Sequence, residues 1–345
     1  MKRILLAGSF IVAFCVAWQA LSKIEIKALG QPESTGAYQQ KSEAPFFASL
    51  ARSTDLPLTV DYRPLNLTGV KDVFQLQLMA QGAFDVVSLR FIQNSKTEPT
   101  LEGIDLPLPG LDFELAKSIS DSYFPAIDRR LQEHHRVKLL GLWTFGPQEL
   151  YCSRPVNTLS DLRGLKIRVA GPQLEQYVSA LGAIAAIIPF DETREALKKQ
   201  LIDCAITSAA SANSARWLDY TSHYIPVTFG FGINGYVISL EKWNQFSEAQ
   251  QRVLSSAFEK QILSSWLFAN EIYEDSMRCL TGEPSCQTGP RRQMIKVVFS
   301  QEDIAAMRRV ALSSSIDEWF QMCSKVYSTC KQEWLETIGV VLNLK

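Results

Sequence analysis

Histidine occurs only three times in 345 residues, and no part of the chain gathers ligand-type side chains at metal-site spacing. His134 and His135 close a charged helical run, where cationic side chains suit the carbonyl end, and His223 follows Trp217 and Tyr220 as a packed residue. The seven cysteines never form Cys-x-x-Cys, so no zinc site is expected. A Gly-x-Ser-x-Gly elbow, a His-Glu-x-x-His helix, a phosphate loop and a glycine-rich strand-to-helix turn of the dinucleotide type are also missing. With them go the motif-bearing enzyme classes and their cofactors. Long basic runs are absent too: 35 Lys and Arg against 36 Asp and Glu give a net charge of −1, which leaves no footprint for nucleic acid or an anionic membrane. Beyond the N-terminus, no segment is apolar over the roughly 20 residues needed to cross a bilayer.

What is present suits a two-domain exported protein, with 46% hydrophobic and 21% charged residues supporting two cores. Met1-Lys2-Arg3 followed by the apolar Ile4–Val16 and small residues near Ala20 and Ser22 predicts a signal peptide over 1–22, and hence the periplasm. Phe14 before Cys15 argues against a lipoprotein site. Six cysteines remain beyond it, an even number suited to disulfides in an oxidising compartment. Cys279 with Cys286 and Cys323 with Cys330 each close a short loop and are the first pairings expected. Cys152 and Cys204, expected to flank the ligand site, are left open between a third disulfide and two buried thiols.

The chain is organised around Asn157–Thr207. Lys166–Val169 is a short β-branched strand, Gly171-Pro172 opens a helix to about Leu181, Ala185–Ile188 is a second strand, Asp191 caps a helix to about Gln200, and Leu201–Thr207 is a third strand. This βαβαβ order predicts parallel pairing, with a ligand beyond the carboxyl ends of the strands. Alternation puts Ile167 and Val169 on one face and Arg168 on the other. A permanently charged planar fork at such a strand end is a natural anion clamp; the competing reading is a surface arginine paired with an acid.

Strands are also expected at Lys23–Leu29, Leu58–Tyr62, Phe84–Ser88, Val137–Trp143 and Leu150–Cys152, and a longer one at Phe229–Ser239. Helices are expected at Glu43–Arg52, Val70–Ala80, Asp112–Ile119, Phe124–His134, Gln301–Met322 and Lys331–Val341. At the end of Phe84–Ser88, Ser88 and Arg90 are both offered to the crevice, and for Arg90 a solvated surface charge is the favoured reading. Thr207, Ser208, Ser211, Asn213 and Trp217 offer small polar and aromatic groups beyond the third strand, against a reading as helix cap and core. Crossings near residue 146 and within Phe229–Ser239 predict a hinge between lobe I, residues 23–145 plus 233–272, and lobe II, residues 146–232 plus 273–345. The capping box Ser247-Glu248-Ala249-Gln250 opens a helix running to about Met277, long enough to lie along both lobes.

The residues Asp161-Leu162-Arg163-Gly164-Leu165-Lys166-Ile167-Arg168-Val169, with Ala180-Leu181-Gly182-Ala183, Pro189-Phe190, Glu195-Ala196-Leu197, Ile202-Asp203, Gly82-Ala83-Phe84-Asp85-Val86 and Trp243, resemble the DctP-like solute-binding subunits of TRAP transporters. The resemblance spans nearly all of the chain after the leader. It implies an α/β fold of the two-lobed periplasmic binding protein type with one long helix spanning both lobes. It also implies a carboxylate held by Arg168, and a small organic acid and integral-membrane TRAP subunits as partners. Gln148 stands where many members have a second ligand-facing arginine, Asp203-Cys204 replaces a common Asp-Gly, and Thr207 replaces an asparagine of some members, which disfavours sialic-acid-type recognition. The expected ligand set is therefore Arg168, Gln148, Ser88, Thr207, Asn213 and Trp217 in a monomeric binder without cofactor. A periplasmic sensor and a periplasmic enzyme acting on an organic acid are the alternatives.

Overall fold

The computed structural model describes residues 23–344, so the expected leader lies outside the described residues. The strands, in chain order, are β1 (Ile24–Gly30), β2 (Leu58–Pro64), β3 (Val86–Arg90), β4 (Val137–Thr144), β5 (Gln148–Cys152) and β6 (Lys166–Val169). They continue with β7 (Ile184–Ile187), β8 (Cys204–Ser208), β9 (His223–Ile225), β10 (Ile233–Ser239) and β11 (Ile295–Lys296). One sheet has the order β2-β1-β3-β10-β4 and the other β11-β9-β5-β8-β6-β7. As expected, β6 pairs in parallel with both β7 and β8, and β5 adds to β8 antiparallel. The fold is a two-lobed α/β arrangement in which each sheet is the centre of one lobe.

Alternation along β6 divides the second lobe into two packed layers. Ile167 and Val169 join Leu150, Cys152 and Ile206 on one face, whereas Arg168 lies on the face of Trp217, Phe190 and Ala205. Both faces are covered beyond the exposed Lys166, so even Arg168 is only 3% exposed.

Glu248–Leu280 forms a single helix of 33 residues, opened by the capping box of Ser247 and Gln250. At 1.5 Å per residue it runs about 50 Å. Its Trp266 indole donates to the Leu142 carbonyl in the first lobe at 2.9 Å, and its Tyr273 hydroxyl donates to the Glu149 carboxylate in the second at 2.9 Å. The helix therefore ties the lobes together two turns apart.

Several expectations change. Asp112–Ile119 and Phe124–His134 are one helix, Phe113–His135, with Pro125 inside it. Ile119 and Tyr123 before the proline and Ile127 and Leu131 after it are all buried, and this packing outweighs the roughly 3 kcal/mol cost of an interior proline. Only the second half of Phe229–Ser239 is strand, because Gly230 and Gly232 take φ values of 143° and 61° that open an irregular crossing. Gly230, Gly232 and Gly235 have the bare spacing of a dinucleotide loop, yet they lead into β10 and no helix starts there. Strands β9 and β11 escape a periodicity reading because they are three and two residues long. The C-terminal region also divides differently: Ile316, Trp319, Phe320, Trp334 and Ile338 pack in the core of the first lobe, not the second. The indoles of Trp319 and Trp334 hold them there by donating to the carbonyls of Pro99 and Gly103.

Three disulfides form: Cys152–Cys204, Cys279–Cys286 and Cys323–Cys330. The open question about Cys152 and Cys204 is settled by register, because the two residues stand opposite each other in the β5–β8 ladder with Cα atoms 4.1 Å apart. They pin the end of that strand pair remote from Gln148 and Ser208, so they do not flank the site. Asp275 lies close to the Cys279 and Cys286 sulfurs, but both sulfurs are committed to a disulfide and the carboxylate accepts from the Gln287 and Thr288 amides. Among the described residues no helix is long and apolar enough to cross a membrane.

Candidate functional site

Two chain crossings join the lobes side by side. Phe145 and Gln148 donate their amides to the carbonyls of Gly232 and Gly230, at 3.2 and 2.8 Å. The Asp105 carboxylate fastens the return crossing by accepting from the amides of Phe231 at 2.6 Å and Ile233 at 3.1 Å. Burial pushes that carboxyl up to about 6, against the pull of these amides. Beside this hinge the strand ends of both sheets face a cleft.

Arg168 reaches into the cleft from β6. Its Nε donates to the Ile188 carbonyl and one Nη to the Ile206 carbonyl, both at 2.9 Å, and the guanidinium lies 5.1 Å from the centre of the Trp217 ring. These contacts fix the plane of the fork and leave donors over. Among the described residues no carboxylate comes within ion-pairing distance of it. Burial first, and then the like charge of Arg90, push its pKa down to about 9, which leaves it cationic at neutral pH. A confined cation without a counter-ion is costly, and an entering anion removes that cost.

Arg90 reverses its expectation. It is 8% exposed at the carboxyl end of β3, pairs with Asp72 at 3.0 Å, leaves Nε without a partner, and lines the cleft with Arg168. Ser88, two residues earlier, is buried deeper in the lobe, where its hydroxyl accepts from Gln31 at 3.1 Å and its carbonyl from Gln75. It does not line the cleft. The strand runs two residues past the end of the apolar run that predicted it, and this places Arg90 at the mouth.

Of the remaining expected residues, Gln148 and Thr207 line the cavity beside Arg168. The Gln148 side-chain Nε2 donates to the Gly146 carbonyl at 2.9 Å. Asn213 and Trp217 stand behind it. Asn213 is buried against Gly289 with both side-chain polar atoms unpartnered, and Trp217 is the surface on which Arg168 rests. Ser211, offered by the sequence beyond the third strand, lines the cavity too, whereas Thr35, Asn234 and Phe190 were missed as lining residues. For Phe190 the Pro189-Phe190 pair was a signal; Asn234 had none, since its place depends on how the hinge returns the chain.

The cleft contains two adjoining compartments that share Arg168, Ile92, Gln93, Ala170 and Phe190. The inner one, about 40 Å³, is bordered by Thr35, Arg90, Gln148, Thr207 and Asn234. The outer one, about 130 Å³, opens past Val73 and Ile187. A larger groove of about 620 Å³ lies between Ala44–Thr54 and the long helix, but it is open and no buried charge lines it, so size alone does not locate the site. The lobes touch around the cleft: Ser34 donates to Asp191 at 2.6 Å, Ser214 donates to the Ser34 carbonyl at 3.0 Å, and Gly171 meets Ile92 so closely that a Cβ would fall 2.2 Å from its methyl.

Two α/β lobes in contact over a buried, unpaired cation define a two-lobed binding protein for small anions. The chain belongs to the bacterial extracellular solute-binding proteins of family 7, whose DctP profile matches residues 37–278. It is 21% identical over 236 residues to the sialic acid-binding periplasmic protein SiaP of Vibrio cholerae, covering 67% of this chain and 73% of that one. It is 22% identical over 281 residues to the C4-dicarboxylate-binding periplasmic protein DctP of Rhodobacter capsulatus, covering 79% and 82%. Among solved structures, DctP7 of Bordetella pertussis, an extracytoplasmic solute receptor binding pyroglutamic acid, superposes with a TM-score of 0.79 at 16% identity over 91% of this chain and 99% of that one. A TRAP periplasmic solute binding protein of Desulfovibrio salexigens with bound orotic acid gives 0.79 at 15% identity over 92% and 100%. The expected family and two-lobed fold hold.

Proposed function

We propose that this protein captures a small organic acid outside the cytoplasm through Arg168 and hands it to the integral-membrane subunits of a TRAP-type transporter. The observation that carries the reading is the Arg168 guanidinium, buried, oriented by two carbonyls and an indole, and lacking a carboxylate partner. Relatives of the same family are named for carboxylate-bearing ligands, and solved neighbours hold pyroglutamate, orotate and malonate. An exported chain with a cleavable leader over residues 1–22 fits this role. Binding without chemistry fits the cavity, because its one acidic side chain, Asp72, is engaged by Arg90.

Gln148 and Thr207 supply hydrogen bonds to the acid, and closure of the lobes strips water from the ion pair and strengthens it. The test is calorimetric titration of the purified protein with mono-, di- and keto-carboxylates, alongside Arg168→Ala. Binding of an acid that the variant loses supports the proposal, and an acid bound equally well by both proteins ends it. Recovery of the acid unchanged after hours of incubation separates a binder from an enzyme.

A further inference from the structure

We infer that the solute is a monocarboxylate with an apolar body, its carboxylate on Arg168 in the inner compartment and its hydrocarbon part in the outer one. This rests on the anion-clamp reading above and adds the class of acid. Volume is the first reason. A water molecule needs roughly 10–15 Å³ of such space, so the inner compartment of about 40 Å³ has room for a carboxylate head and little else, while the outer one is about 130 Å³. The mass of any ligand seated on Arg168 must therefore extend outward.

The chemistry of that outward path is apolar. Val73, Ile92, Ile187, Ile188, Pro189 and Phe190 border it, and its two charges are unsuited to a second acid group: Asp72 is anionic and already paired, and Lys96 is exposed to water at the rim. Nor does the inner compartment hold a second free cation, since Arg90 is bound to Asp72 at 3.0 Å. The lips are the second reason. Val73 comes from the first lobe and Ile187 from the second, and they are 43% and 42% exposed on opposite sides of the mouth. Exposed aliphatic side chains lining one compartment from two lobes lose contact with water when a hydrocarbon chain fills it.

The experiment is calorimetric titration of the wild-type protein, Arg168→Ala, Ile187→Asp and Val73→Asp with propanoate, butanoate and hexanoate, and with malonate and malate as polar diacids. Affinity is expected to rise roughly fourfold for each added methylene. Either lip variant is expected to weaken hexanoate binding roughly tenfold; both positions are exposed enough for the fold to accept a carboxylate. Tighter binding of the diacids than of hexanoate, or affinity indifferent to chain length, overturns the inference while an Arg168-dependent signal keeps the clamp. Failure of every acid to bind, or binding untouched by Arg168→Ala, overturns the clamp and the inference with it.

Discussion

Arg168 spends two of its donors on the carbonyls of Ile188, one residue past the end of β7, and Ile206, in the middle of β8, the two strands that pair with β6. The alternation of Lys166-Ile167-Arg168-Val169 was enough to put the side chain on the face opposite the aliphatic layer. Its anchors were not legible, because they depend on how two other strands lie in register beside β6. The same limit explains Arg90, whose role turned on two residues of strand length. Arg168→Lys should keep the charge but lose the fork and both carbonyl anchors, so acid affinity should fall substantially. Arg168→Ala leaves a desolvated carboxylate without a partner, at a cost on the order of 3–5 kcal/mol, a loss of a hundredfold or more. Asp72→Asn points the other way. It removes a negative charge beside the cleft and frees Arg90, and a gain of about 1 kcal/mol, roughly fivefold in affinity, is expected by calorimetry. Unchanged or weaker binding by Asp72→Asn would show that Arg90 does not act on the anion.

At the scale of elements, β5 and β8 carry two opposite functions at their two ends. Gln148 and Thr207 present polar groups to the cleft at one end, and Cys152 and Cys204 close the other. Composition left this cysteine pair undecided, because two buried thiols and a cross-strand disulfide look alike until β5 and β8 are seen to pair in register. The bond spans 52 residues of chain, and a cross-link of that span removes about 3–4 kcal/mol of loop-closure freedom from the unfolded state. The double variant C152A/C204A should lose stability of about that size in urea unfolding, since the buried site between two packed layers offers no water to the truncated side chains. A loss under about 1 kcal/mol would mean that the strand ladder alone holds the pair. The long helix was the most legible element, for its capping box and uninterrupted periodicity are both local. Phe113–His135 was less so: Pro125 is a local signal for a break, and the contacts that override it are tertiary.

For the whole molecule, closure brings a lobe I carboxyl into a lobe II helix start. Glu102 is 2% exposed and accepts from the Gln173 amide at 3.1 Å, with Gly171 packed beside it. Burial raises its pKa to about 7, opposed by hydrogen bonds from Gln173 and Ser95 and reinforced by Asp105. Parting of the lobes removes the Gln173 side of its enclosure, and a return towards the ordinary value of 4.5 is the premise of the prediction that follows. Between those two values the closed form binds more protons than the open one, so closure is favoured at the acidic end and loses free energy as pH rises from about 4.5 to 7, with no further change above. The solute carboxylate and Arg168 both stay charged across the upper part of that window. Affinity for the acid should thus fall between pH 5.5 and 7.5, on the order of tenfold, and Glu102→Gln, neutral at every pH, should flatten the profile. Affinity that is level across this range in the wild type, or a slope that survives in Glu102→Gln, would place the proton elsewhere. The prediction depends on lobe contact: Glu102 and Gln173 are 71 residues apart and meet only because the hinge at Phe145–Gln148 and Phe229–Ile233 folds one sheet towards the other.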